Sequence, residues 1–128
     1  MAKKEAPLQQ LNDFLPPATF EAVAHYLHFY KIHLTVTRQR KTILGDYRHQ
    51  TLSSNHRISV NGNLNPFTFL ITLLHEIAHL LTDEQHGNRI SAHGKEWKSI
   101  YANLLKQFLE HKIFPADIEK ELKDSLKN

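Results

Sequence analysis

The period of the apolar positions changes along this chain, and each change predicts an element. Between residues 18 and 30, Phe20, Val23, Ala24, Leu27 and Tyr30 recur every three or four positions, the spacing that gathers side chains on one face of an α-helix. Pro16 and Pro17 precede this segment and Thr19 offers an N-cap. From Ile32 the period drops to two. Ile32, Leu34 and Val36 alternate with His33, Thr35 and Thr37, as in a half-buried strand. Lys41–Tyr47 and His56–Val60 predict two further strands, the latter ended by Asn61-Gly62-Asn63. Gly45, inside the second, marks a bulge or a close backbone approach. Short links between three strands suggest a small antiparallel sheet.

The second half is helical. Asn65 can cap a helix whose first residue, Pro66, lacks an N–H that would be unpaired there anyway. Its apolar positions continue to about Asp83. A polar loop over residues 83–92 follows, then a helix over 94–111 with Trp97, Ile100, Tyr101, Leu104, Leu105 and Phe108 on one face. Pro115 opens a last short helix with Ile118 and Leu122 inward. The expectation is one α+β domain over residues 1–128: an N-terminal helix, a three-stranded antiparallel sheet, then helices, with residues 1–12 polar and loose.

Composition narrows the chemistry. At 128 residues the chain can bury one core but not two. It has no cysteine, so any metal must be held by His, Asp or Glu. Ten histidines raise the prior for a metal site, and they also make histidine motifs less decisive. The net charge of +3 is too mild to argue for nucleic acid by itself. The start of the chain lacks the apolar segment of a signal peptide, and the apolar run from Phe67 to Leu74 is too short to span a bilayer. A cytoplasmic protein, monomeric, with no membrane contact, is expected.

The chemistry centres on His75-Glu76-Ile77-Ala78-His79, an HExxH motif. On a helix, residues four apart lie one turn apart on the same face, so His75 and His79 can share one metal ion. Glu76, beside the first ligand, can take a proton from a metal-activated water. The context strengthens the motif. Thr68, Thr72, His75, His79 and Thr82 form one polar stripe, surrounded by Phe69, Leu70, Leu73, Leu74, Ile77, Leu80 and Leu81. A helix this apolar is buried, and buried histidines need partners.

The third ligand is open between His93, His86 and Glu96, with Glu110 behind. The spacing of a metzincin would require His at position 85, which is Gln85. His93, in Ser91-Ala92-His93-Gly94-Lys95-Glu96-Trp97, sits where the loop enters the next helix. A ligand held at a helix entry is better pre-organised than one in mid-loop, which favours His93.

The pair HEIAHL and AHGKEW, with Leu44-Gly45-Asp46-Tyr47-Arg48 and Arg57-Ile58-Ser59-Val60-Asn61 upstream, resembles the SprT-like family, which includes the Spartan proteases. The resemblance covers about residues 20–112. It implies a zincin-like fold, a Zn2+ cofactor held by His75, His79 and His93, and Glu76 as base of an endopeptidase acting on protein or peptide substrates. It also implies DNA as a partner or stimulus. This chain lacks the cysteine zinc ribbon that many family members carry.

Other residues carry weaker signals. Tyr101, one turn after Trp97, is first a core residue and second a donor to an oxyanion. The segment Arg57–Asn61 is expected to form a sheet edge that binds an extended substrate by strand addition. Arg38, Arg40, Lys41 and Arg48 form a basic cluster that reads as a solvated edge before it reads as a phosphate site. Two alternatives compete with a peptidase: a metal-dependent hydrolase of non-peptide substrates, and a DNA-binding or adaptor module with a vestigial or structural metal. Glu76 argues against the latter, since a structural site needs no base.

Overall fold

The computed structural model describes residues 4–5, 8–87 and 89–127. Of residues 1–12, expected to be loose, 1–3 and 6–7 lie outside the described residues, and the others fall in ordered elements. Leu8–Leu11 forms a helical turn, α1, continued by a 3-10 turn at Asn12–Phe14. Leu11 and Leu15 both enter the core. Helix α2 (Phe20–Phe29) follows. Thr19 stands at its N-cap position, but its hydroxyl donates back to the Pro16 carbonyl at 2.8 Å.

Strands β2 (His33–Thr37), β3 (Gly45–Arg48) and β4 (Arg57–Asn61) are joined by a short N-terminal strand, β1 (Lys4–Glu5), in the order β1-β2-β4-β3. The sheet is mixed, which corrects the antiparallel expectation. β2 and β4 run parallel, from His33 opposite Arg57 to Thr37 opposite Asn61. β3 is antiparallel to β4, from Gly45 opposite Val60 to Arg48 opposite Arg57, and β1 is antiparallel to β2. The cause is the link over residues 38–44. It carries the chain past the adjacent strand position, a step of roughly 5 Å per strand, and leaves that position for β4. A β4 that turns back from β3 must then run parallel to β2. It follows that Arg57–Asn61 is the interior of the sheet and that Gly45–Arg48 is its edge.

The long helix α3 (Pro66–His86) begins as its sequence predicts: the Asn65 side chain accepts from the Thr68 N–H at 3.0 Å, with Pro66 in the first turn. It lies against β3, β4 and helix α4 (Lys95–Leu109). Phe69, Leu70, Leu73, Leu74, Ile77 and Leu80 are fully buried and meet Leu34, Ile58 and Val60 of the sheet and Val23 and Leu27 of α2. Helix α5 (Ala116–Ser125) follows Pro115 and rests Ile118 and Leu122 on this core. Among the described residues, no helix is long and apolar enough to cross a membrane.

α3 runs three residues past Asp83 because Glu84, Gln85 and His86 do not oppose a helix; Gly87 ends it. Gly87 has φ 79° and ψ 175°, a backbone region open essentially only to glycine. Its N–H still bonds the Asp83 carbonyl at 2.8 Å, after which the chain leaves the helix axis and turns back toward the middle of α3.

Candidate metal centre

Helical spacing puts His75 and His79 one turn apart on the half-buried side of α3, and the loop after Gly87 brings His93 to meet them. The Nε2 atoms of His75 and His93 are 3.1 Å apart, and those of His79 and His93 are 2.9 Å apart. The three rings offer nitrogen atoms that all lie within 4.8 Å of one another. Hydrogen bonding alone explains this poorly, because one imidazole nitrogen carries a single proton or a single lone pair. His93 Nε2 would need to serve two neighbours at once. A cation at the common centre uses all three lone pairs. Zn–N bonds of about 2.0–2.1 Å in a tetrahedron place nitrogens roughly 3.3 Å apart, so the ring positions fit such an ion with a small opening.

The other candidate ligands lie elsewhere. His86 is seven residues beyond His79 on the same helix, about 10 Å along the axis. It lines a separate cavity with Glu96, Tyr26 and Gln107. Glu110 is exposed beyond the far end of α4. His93 holds φ 61°, in the left-handed region, which His enters more readily than most residues although the conformation is uncommon.

Trp97 is the wall of the centre. Its ring stacks on His79 at 5.3 Å and meets His75 and His93 edge-on at 4.7 and 4.8 Å. Its Nε1 donates to the His75 carbonyl at 3.3 Å, and Tyr101 stacks behind it at 4.8 Å. The first turn of α4 is thereby fixed against the middle of α3. Burial holds His79 down to about 4, with the His75 and His93 rings adding to the effect. His75 is lowered for the same reason, burial first and His93 second. Neutral imidazole is the ligand form, so burial presets both rings for metal.

Glu76 is buried, at 7% exposure, beside this cluster. Burial raises its carboxyl to about 7; Asp46 adds to the rise and Arg40 opposes it. Gly45 makes room for it. A Cβ there would stand 2.8 Å from Thr72 Cγ2, 3.1 Å from the Ser59 carbonyl and 3.2 Å from Glu76 Oε2. The close approach is thus between the edge strand and the helix that carries the motif. Because the folded value lies above 4.5, Glu76 favours the metal-free fold fully below pH 4.5, and that contribution is lost as the pH rises through 7. A carbon-detected titration of metal-free protein is expected to find the Glu76 midpoint near 7. Zinc should move it down, since a dication favours the carboxylate. A metal-free midpoint at the ordinary carboxylate value would contradict the burial.

Thr72 and Thr82 of the polar stripe are buried, each beside a different cavity. Beside His79 lies a cavity of about 540 Å³ that includes Asp46, Arg48, Arg57, Asp83 and Thr82. Beside Glu76 lies one of about 280 Å³ that includes Gly45, Thr72 and Tyr101. β3 borders both.

Two polar groups had no visible role in sequence. His56 is 2% exposed. Its Nε2 is 2.9 Å from Glu84 Oε2, while its Nδ1 accepts from the Gln50 N–H at 3.2 Å. Tyr47, next to it, donates to Asp83 at 3.0 Å, and burial followed by that bond raises the phenol well above its ordinary value. This network ties β3 and the start of β4 to the last turns of α3. Asn61, 1% exposed, accepts from Arg40 Nε at 2.7 Å and donates to the Ile43 carbonyl at 2.9 Å. Of the basic cluster, Arg40 is therefore turned inward, and Arg48 bonds Asp46 at 3.1 Å.

Residues 8–120 match the model of the SprT-like family. Over 100 residues the chain is 31% identical to Protein SprT of Yersinia pseudotuberculosis serotype O:1b (strain IP 31758) and 30% identical to Protein SprT of Yersinia pestis. Each alignment covers 72% of this chain and 58% of the relative, so the chain matches little more than half the length of these curated proteins. No solved structure matches it.

Proposed function

Since the chain belongs to the SprT-like family, we propose that it is a zinc-dependent endopeptidase of zincin-like build, with His75, His79 and His93 as ligands and Glu76 as base. The observation that carries the proposal is the convergence of three imidazole nitrogens beside one buried carboxylate. An all-nitrogen set of three, leaving a position open, suits catalytic zinc. A metal ion held there supplies Lewis acidity to a carbonyl and acidifies water.

The protein's own groups would do the rest. Glu76 takes a proton from the attacking water as its oxygen bonds the carbonyl carbon, then returns that proton to the leaving amine nitrogen as the C–N bond breaks. As a carboxylate it accepts the proton, and as the resulting carboxylic acid it delivers it. The edge strand β3 has backbone groups to pair with an extended substrate crossing the histidines, a role that the interior position of Arg57–Asn61 rules out for β4.

The test joins metal analysis to cleavage of an unfolded protein such as casein. About one zinc per chain, and cleavage that a chelator stops, is the expected result; a chain without zinc affinity at neutral pH sinks the proposal. Adding DNA to the same assay asks whether it stimulates cleavage. Gly45→Ala is expected to retain zinc and to lose up to about 100-fold in rate, because a displaced Glu76 is misaligned with the reacting water. An unchanged rate would show that the tight packing around Gly45 does not position Glu76.

A further inference from the structure

We infer that the cavity on the Glu76 side of the histidines is a specificity pocket that takes one apolar side chain of the substrate, the residue directly C-terminal to the bond cut. This rests on the peptidase proposal and adds to it the class of sequence that is cleaved. The cavity, about 280 Å³, closes on His75 and Glu76, and its remaining surface comes from Ile43, Leu44, Gly45, Ile71, Thr72 and Tyr101. Glu76 is the one carboxylate or ammonium-type group among them. The volume suits one large side chain rather than a segment of chain.

Two features mark it as more than a dent in the surface. Ile43 and Leu44 are 42% and 49% exposed, adjacent apolar side chains held toward water at the mouth of a cleft. Their backbone is also fixed. The Asn61 side chain donates to the Ile43 carbonyl and the Asn61 N–H to the Leu44 carbonyl, each at 2.9 Å. Asn61 is itself locked by Arg40 Nε at 2.7 Å and Thr37 Oγ1 at 3.1 Å, and Arg40 Nη1 holds Ser59 Oγ at 2.9 Å. A preformed apolar wall spends no ordering entropy when it is covered. Tyr101, stacked on Trp97, closes the opposite side.

The cavity across the histidines differs in kind, with Asp46, Arg48, Arg57 and Asp83 among its residues. β3 starts at Gly45 on the apolar side and ends at Arg48 on the charged side. A substrate strand paired antiparallel to β3, the more stable pairing per residue, runs from the charged cavity to the apolar one. The side chain after the cut bond then meets Ile43 and Leu44.

The experiment uses zinc-loaded full chain and a peptide mixture randomised around the cleaved bond, with cut sites read by mass spectrometry. Leu, Ile, Met or Phe after the cut is expected to be favoured over Ser or Lys by about 10- to 100-fold in kcat/KM. Ile43→Ser with Leu44→Ser should flatten that ratio to a few-fold, and Leu44→Lys should move the preference toward Asp and Glu. A second readout needs no activity. Trp97, the single tryptophan, packs on two residues of this cavity, His75 and Tyr101, so its fluorescence in metal-free protein should respond saturably to N-acetyl-leucine amide and not to N-acetyl-lysine amide, and the double variant should lose the response. Cleavage without an apolar preference at that position, or with one that the variants leave alone, overturns the pocket and spares the peptidase. Cleavage of no peptide at all counts against the peptidase, and the leucine amide titration then decides the pocket: a response lost in the double variant upholds it, and no response overturns it.

Discussion

Glu76→Gln is expected to lower peptide hydrolysis by about 10²- to 10⁴-fold, the usual worth of a positioned general base, while zinc content stays at the wild-type level. The amide matches the carboxyl in size, so the packing against Gly45 and Thr72 survives. Glu76 is also not one of the converging ligand groups. What changes is proton transfer, since an amide cannot take and return a proton. The substitution also removes a group that resists ionisation in its buried setting, so the metal-free variant should be at least as stable as wild type at pH 8. Zinc-binding titration, cleavage rate and thermal melting on the two proteins together decide the matter. Equal cleavage rates would remove Glu76 as the base.

His93→Ala is expected to weaken zinc binding by more than about 100-fold, and His86→Ala to leave it within a few-fold. Losing a group that merely orients a ligand already costs 10- to 100-fold in affinity, and His93 is itself one of three converging nitrogens. His86 shares the helix and the residue type but lines another cavity. Competition against a zinc chelator of known affinity measures both variants. The reverse ranking would mean that His86, not His93, reaches the metal in solution. His79→Ala should resemble His93→Ala in affinity but cost more stability, because His79 is half-buried and stacks on Trp97, whereas His93 is exposed and meets Trp97 edge-on.

What could be read from sequence was local. Asn65, Pro66 and the apolar spacing of α3 specify a start and a buried face within one segment, and the structure has both. His75 and His79 are neighbours by helical geometry alone. Strand direction was not local. Three short alternating segments are equally consistent with antiparallel and mixed pairing, and only the reach of residues 38–44 past β4 decides it. The third histidine was an in-between case: a ligand favoured at the helix entry, with His86 open until Gly87 fixed where α3 stops. Asn61 and His56 were silent because their partners are far along the chain: Arg40 and Ile43 for one, Tyr47 and Glu84 for the other. A polar residue's burial leaves no period in the sequence.

The left-handed backbone of His93 bears on how a bound ion would come and go. Two of the three nitrogens ride on the helix at the centre of the core, and the third ends an exposed loop in a conformation that costs about 1–3 kcal/mol to hold. With no ion bound, release of that strain is expected to let the loop swing away from α3 at a smaller cost than unfolding the domain. Exchange of the ion would then be a hinged event with its own lifetime, separable from melting of the fold. A chelator should empty the site at temperatures where the helical circular dichroism does not change, and parallel loss of both signals would refute the hinge.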